Sequence, residues 1–281
     1  MKRTSLQVEG LETRDNPSVS VGIAISGGST DLYVTGDAAS DQVQLQRLPN
    51  GAIRIQGLNG TKVNGVASVD RFFNDDLFIN LGAGNNYLSV LDTNGGITAD
   101  FVDIKTGNGA DTISIQRLNV LDDIFVDTND GSDYVYLNRV TASNRVDGPG
   151  DDGINIYTRG GADTVVLNNS TSAEDVVVIL DSSDAGAPGF NDNLFADNVR
   201  ATDDFFLYGF GGNDSMRLNN LTAGDVLSAT LGSGNDFLKL TNSHARTIST
   251  HGEAGTDTLQ YYNDSYTSWN YTGFETYVNG P

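Results

Sequence analysis

Six segments of this chain place a glycine two residues ahead of an aspartate: Gly109-Ala110-Asp111, Gly131-Ser132-Asp133, Gly161-Ala162-Asp163, Gly212-Asn213-Asp214, Gly234-Asn235-Asp236 and Gly255-Thr256-Asp257. The chemistry these residues could share is that of oxygen. A carboxylate beside the carbonyls of a glycine turn can ligate a hard cation, or it can cap the turn by accepting backbone N–H groups. Degenerate copies stand at Gly84-Asn85-Asn86, at Asp192 and at Asp41. From Asp41 the anchors follow at intervals of 45, 25, 22, 30, 29, 22, 22 and 21 residues. A turn recurring this regularly is a structural repeat.

The elements that must carry these turns are strands. Behind the anchors come paired apolar positions, Ile113/Ile115, Val135/Leu137, Val165/Leu167, Met216/Leu218, Leu238/Leu240 and Leu259/Tyr261. This period of two marks strands with one buried face. Further strands lie between anchors, at Ile124-Phe125-Val126 and around Val226–Leu231. One special turn and two or three short strands per repeat predict an all-β fold, a right-handed parallel β-helix of about 10–11 coils stacked at about 4.8 Å. The 45-residue first gap predicts one extra coil, turning near Gly57-Leu58-Asn59-Gly60. Asn138, Asn168, Asn219, Asn242 and Asn263 trail their anchors and fit either an amide ladder or left-handed turns. Residues 1–18 lack the repeat and read as an extended, poorly packed export-type segment; 19–264 hold the solenoid. The aromatic stretch 265–281 reads as a cap over the last coil. Extra residues at 147–153 and 181–192 predict acidic loops.

Composition narrows the function. Sixteen Lys and Arg face 37 acids, a net charge of -21, and every acid but Glu9, Glu12, Glu174, Glu253 and Glu275 is Asp. Nucleic acids and anionic membranes need clustered cations, so the charge argues against both as partners. Without Cys there is neither disulfide nor thiolate chemistry. No apolar run is long enough for a transmembrane helix, and no apolar h-region follows Lys2 and Arg3.

Two resemblances add to this reading. Gly107-Asn108-Gly109-Ala110-Asp111-Thr112-Ile113 and Gly232-Ser233-Gly234-Asn235-Asp236-Phe237-Leu238 resemble the repeats-in-toxin nonapeptide of hemolysin-type calcium-binding proteins. The resemblance implies calcium held by Asp111, Asp133, Asp163, Asp214, Asp236 and Asp257, with Gly109, Gly212, Gly234 and Gly255 supplying turn carbonyls. Asp214 and Asp236 form the best pair. The chain departs from the pattern at Thr106 and Leu231, which replace the first glycine, and at Arg159, Phe210 and Glu253, which replace the second. Leu6 to Ser18 resembles the Leu-Glu-x-Leu-Glu-x-Arg opening of planctomycete secreted and surface proteins, which implies a bacterial secreted or cell-surface location.

The expectation is a non-enzymatic structural or adhesive solenoid whose partner is a cell-surface polysaccharide or matrix. A carbohydrate-active β-helix enzyme, lyase or hydrolase, is the competing reading. A lyase needs a base near a neutralising group, yet the lysines are four and the arginines scattered, with Arg139, Arg145 and Arg159 the nearest to a group. Asp151/Asp152 and Asp203/Asp204 are the acid pairs a hydrolase could use, although neighbours on a strand face opposite ways. His244 and His251 have no third partner in the pattern. An exposed aromatic row or cleft over the loops at 147–153 and 181–192 would favour the enzyme, and a uniform acidic rod the scaffold.

Overall fold

The computed structural model describes residues 17–143, 153–181 and 189–280. Among them there is no helix, only strands joined by corners. Two sheets of twelve strands and one of five run along the molecule, and nearly every neighbour is parallel and in register. In the first sheet Val102–Lys105, Ile124–Asp127, Ile154–Tyr157, Val176–Ile179 and Phe205–Tyr208 lie side by side. In the second, Thr112–Ile115 pairs with Tyr134–Asn138, then Thr164–Asn168, Asn193–Asp197, Ser215–Asn219 and Phe237–Thr241 follow in order. The five-stranded sheet, from Ile97–Ala99 to Arg200–Ala201, continues as single bridges through Thr222, His244 and Ser265. The molecule is a parallel β-solenoid in which each turn of chain makes one rung.

The period-two pattern is the cause. Ile113 and Ile115, Val135 and Leu137, and Leu238 and Leu240 are fully buried, while the residues between them face outward. Inward positions stack column on column into one aliphatic core that also takes Leu118, Val120, Ile124 and Val126. A rung by itself has no core; its apolar face is buried by the rungs above and below. Truncating a central residue such as Ile113 to Ala costs about 2–5 kcal/mol.

The first end departs from the sequence expectation. No extra coil forms near residues 57–60. Gln42–Arg47 reverses through Pro49, Asn50 and Gly51 into Ile53–Gly57, which turns again into Ser68–Arg71, both pairs antiparallel. Gly51 has φ of 88° and donates to the Leu48 carbonyl at 2.9 Å, closing the hairpin. Gln42–Arg47 instead pairs with Tyr87–Leu91, so the rungs of Asp41 and Asn86 are adjacent despite the long gap. Ser18–Ser26 is also antiparallel to its neighbour, Ser29–Thr35. At the other end Ser268–Thr272 and Thr276–Asn279 add a final rung. Trp269 sits over Ile248 and Tyr277 over Leu259, in edge-on contact with Tyr261, Tyr266, Tyr271 and Phe274.

Candidate functional site: the stacked Gly-x-Asp corner

All six predicted anchors fall in one column at the corner leading into the second sheet, together with Asp41, Asn86 and Asp192. Each anchor's amide N–H donates to the carboxylate of the anchor on the next rung. Asp111 donates to Asp133 Oδ1 at 2.8 Å, Asp133 to Asp163 at 2.8 Å, Asp163 to Asp192 at 2.7 Å and Asp192 to Asp214 at 2.9 Å. Asp214 donates to Asp236 at 2.7 Å and Asp236 to Asp257 at 2.8 Å. Asn86 joins by donating to Asp111 and accepting from Asp41, and Glu275 ends the row by accepting from Asp257 at 2.7 Å. Asp214 and Asp236 are adjacent, as the spacing predicts.

The glycine two residues earlier is demanded by the same stacking. At Gly109, Gly131, Gly161, Gly234 and Gly255 φ lies between 131° and 153°, and any Cβ would run into the carbonyl of the glycine one rung below. The position four before the anchor takes a left-handed backbone whether or not it is glycine; where it is glycine, a Cβ would meet the backbone of the neighbouring rung. Gly82, Gly107 and Gly232 occupy it in three rungs, with Asn129, Arg159, Phe210 and Glu253 at φ of 60° to 71° in others. Arg159 there forks onto the buried Asp127, with Nε 2.7 Å from Oδ1. Arg159, Phe210 and Glu253 thus keep the left-handed backbone of the glycine rungs while changing the side chain.

One oxygen of each anchor is left over. Oδ2 of Asp111, Asp133, Asp163, Asp192, Asp214, Asp236 and Asp257 is buried with no hydrogen-bond partner. Asn86 reveals what surrounds that atom. Its Nδ2 donates to the carbonyls of Gly82 at 2.9 Å, Gly84 at 3.0 Å and Thr106 at 2.9 Å. The corner therefore offers a cluster of acceptors, and a donor belongs there. Removal from water pushes the carboxyls up, to about 6 at Asp41, Asp133 and Asp236 and about 7 at Asp111. Asp163 and Asp214 reach about 8 and Asp192 about 9. In its neutral form an anchor would carry a proton that Oδ2 could donate to these carbonyls as the Asn86 amide does, and the repulsion between stacked acids would fall.

The fit to calcium is poor on the donor set. Each anchor has one free carboxylate oxygen and a few carbonyls, its other oxygen being held by an N–H, whereas calcium takes 6–8 oxygens. Elsewhere among the described residues, Asp203, Asp204 and Asp225 bring carboxylate oxygens within 4.8 Å of one another. Asp204 caps Val226 at 2.7 Å and Asp225 pairs with Arg246 at 2.6 Å, so this cluster too is engaged in structure. Asp151, Asp152 and Arg145 lie outside the described residues. His244 bonds Ser265 and His251 bonds Thr272, each at 2.7 Å, as rung-to-rung links.

Both readings of the asparagines hold in part. Of the five, Asn242 and Asn263 are left-handed at φ of 52° and 59°, while behind Asn138, Asn168 and Asn219 the left-handed residue is the next one, Arg139, Asn169 and Asn220; amide bonds join Asn169 to Asn138, Asn198 to Asn169 and Asn263 to Asn242 at 2.8–3.0 Å. The sequence pattern missed a second row at the middle residue of the turn, where Asn191, Asn213 and Asn235 each accept the next rung's N–H at 2.6–2.9 Å. It also missed the outer face of the first sheet. There Tyr33 stacks on Phe78 at 4.9 Å, Phe125 on Tyr157 at 4.8 Å and Tyr208 on Phe210 at 5.8 Å. A groove of about 270 Å³ runs beside the first pair, lined by Thr35, Asn80, Asp103 and Lys105, the last two ion-paired at 2.6 Å. Compared with family models, curated proteins and solved structures, the chain matches none.

Proposed function

We propose that this chain is a non-catalytic structural rod of a bacterial surface or extracellular matrix, and that the aromatic outer face of its first sheet is where it meets polysaccharide. The observation that carries the reading is the fate of the acids. The six anchor carboxylates, which could have served a metal site or catalysis, each spend one oxygen on the rung-to-rung ladder and bury the other. The aromatic groove supports the partner. Tyr33 and Phe78 supply an apolar wall, and Asn80, Asp103 and Lys105 supply donors and acceptors for sugar hydroxyls. The same groove is what a carbohydrate-active enzyme would use, but Asp103 is held by Lys105 and has no second carboxylate lining the groove.

One assay separates the two. The protein is incubated with a panel of acidic and neutral polysaccharides, following co-sedimentation together with release of reducing or unsaturated ends. Retention without release is expected, falling at least about tenfold in Phe78→Ala. Catalytic release of ends would replace the scaffold with the enzyme, and no retention on any polysaccharide would remove the partner.

A further inference from the structure

Among the described residues, the two ends of the solenoid differ in charge and both leave strands open. Every sheet has two edges, and in this molecule they fall at the ends of the rod. At the head, Ser18–Ser26 is paired on one side with Ser29–Thr35, but on the other side it meets Lys62–Val63 at Ser18 and Val19 and the Asn64 side chain at Val21, and no strand beyond that among the described residues. Its remaining edge carries Ile23, 47% exposed, and Ile25, 72% exposed. Ser68–Arg71 ends the second sheet, with the exposed Phe72 beside it. At the tail, Ser268–Thr272 and Thr276–Asn279 are the last strands, with Tyr271, Tyr277 and Val278 exposed. Uncovered edges of this kind template further strands.

Charge distinguishes the ends. Residues 42–73 hold Arg47, Arg54, Lys62 and Arg71 against Asp70 alone, in a chain whose net charge is -21. No Lys or Arg follows Arg246, and the tail carries the exposed Glu253 and Glu275 and the half-buried Asp264. Like ends repel and unlike ends attract, which selects a partner of the same sequence in the same orientation. Strand polarity permits this. A second copy placed further along the axis brings Ser268–Thr272 antiparallel to Ser18–Ser26 and Thr276–Asn279 parallel to Ser68–Arg71, and both are sound ladders.

We propose that copies of this chain join head to tail, the basic hairpin end of one receiving the acidic aromatic end of the next. The contact is heterologous and does not close, so it propagates as a filament. It is independent of what the rod binds along its sides.

Sedimentation velocity of the full chain from about 1 μM to about 1 mM tests this. The mass should climb without a plateau, and climb less in about 1 M NaCl, where exposed charges are screened. Ile25→Asp blocks the head and Val278→Asp the tail, each placing a charge on an exposed edge, and each alone should weaken association at least about tenfold. Mixed, the two variants retain one intact head and one intact tail. They should give a species of twice the monomer mass and nothing larger, which also shows that both are folded. A wild-type protein that stays monomeric, a closed dimer, or a mixture that fails to pair would each overturn the proposal.

Discussion

Asn86 and Asp192 occupy equivalent corners, yet one brings an amide and the other an acid held near pKa 9 by burial. The sign of the pH dependence follows. In the unfolded chain these carboxyls ionise near 3.8, while in the fold they stay neutral to about 6 at the edges of the row and about 9 at its middle. Folding therefore retains protons, and stability falls as pH rises from about 4 through that range, by up to about 1.4 kcal/mol per pH unit for each carboxyl still neutral. Thermal melts should show the highest midpoint on the acid side of neutrality. Asp192→Asn should raise the midpoint at pH 8 and flatten its pH dependence, since the amide donates where the acid needs a proton. Calcium bound at the row would reverse that result, because the substitution would remove a ligand. In the same melts, millimolar calcium and chelator should give superimposable curves; a rise with calcium beyond that with magnesium would restore the metal reading.

Corners and strands show why one glycine is replaceable and another is not. A Cβ at Gly234 meets the Gly212 carbonyl, so Gly234→Ala should cost several kcal/mol in urea unfolding. Gly51, at φ of 88° in the first hairpin, has nothing within 4 Å of a Cβ. There the same change should cost only about 1–2 kcal/mol of left-handed strain. Glu253 is the converse: exposed, at φ of 71°, it holds a glycine conformation without being one. Glu253→Gly should be neutral or stabilising by about 1 kcal/mol, and a larger loss would mean that the carboxylate has a role in the corner.

Over the whole molecule the core is a single column of rungs, so its ends limit its stability. Removing residues 268–281 deletes the last strand of both large sheets and uncovers Ile248 and Leu259, which are fully buried in the intact chain. The truncated protein should melt several degrees lower, at about 2–4 °C per kcal/mol, and bind a hydrophobic dye at temperatures where the full chain does not. An unchanged melt would mean that the aromatic rung covers nothing of consequence.

The strand periodicity, the anchor spacing and the absence of Cys determined the parallel solenoid, the rung length and the adjacency of Asp214 and Asp236. These are local and periodic properties, and stacking only repeats them. The first end was not legible, because a 45-residue gap between Asp41 and Asn86 is equally long whether filled by a coil or by two hairpins; long-range pairing decided between them. Nor could the pattern Gly-x-Asp distinguish a cation ligand from a ladder rung. Both need a carboxylate and a bare backbone in the same place. What the fold adds is the direction of one N–H, from each anchor to the acid a rung away, and the cluster of carbonyls at the corner. Those exist only once the rungs are stacked.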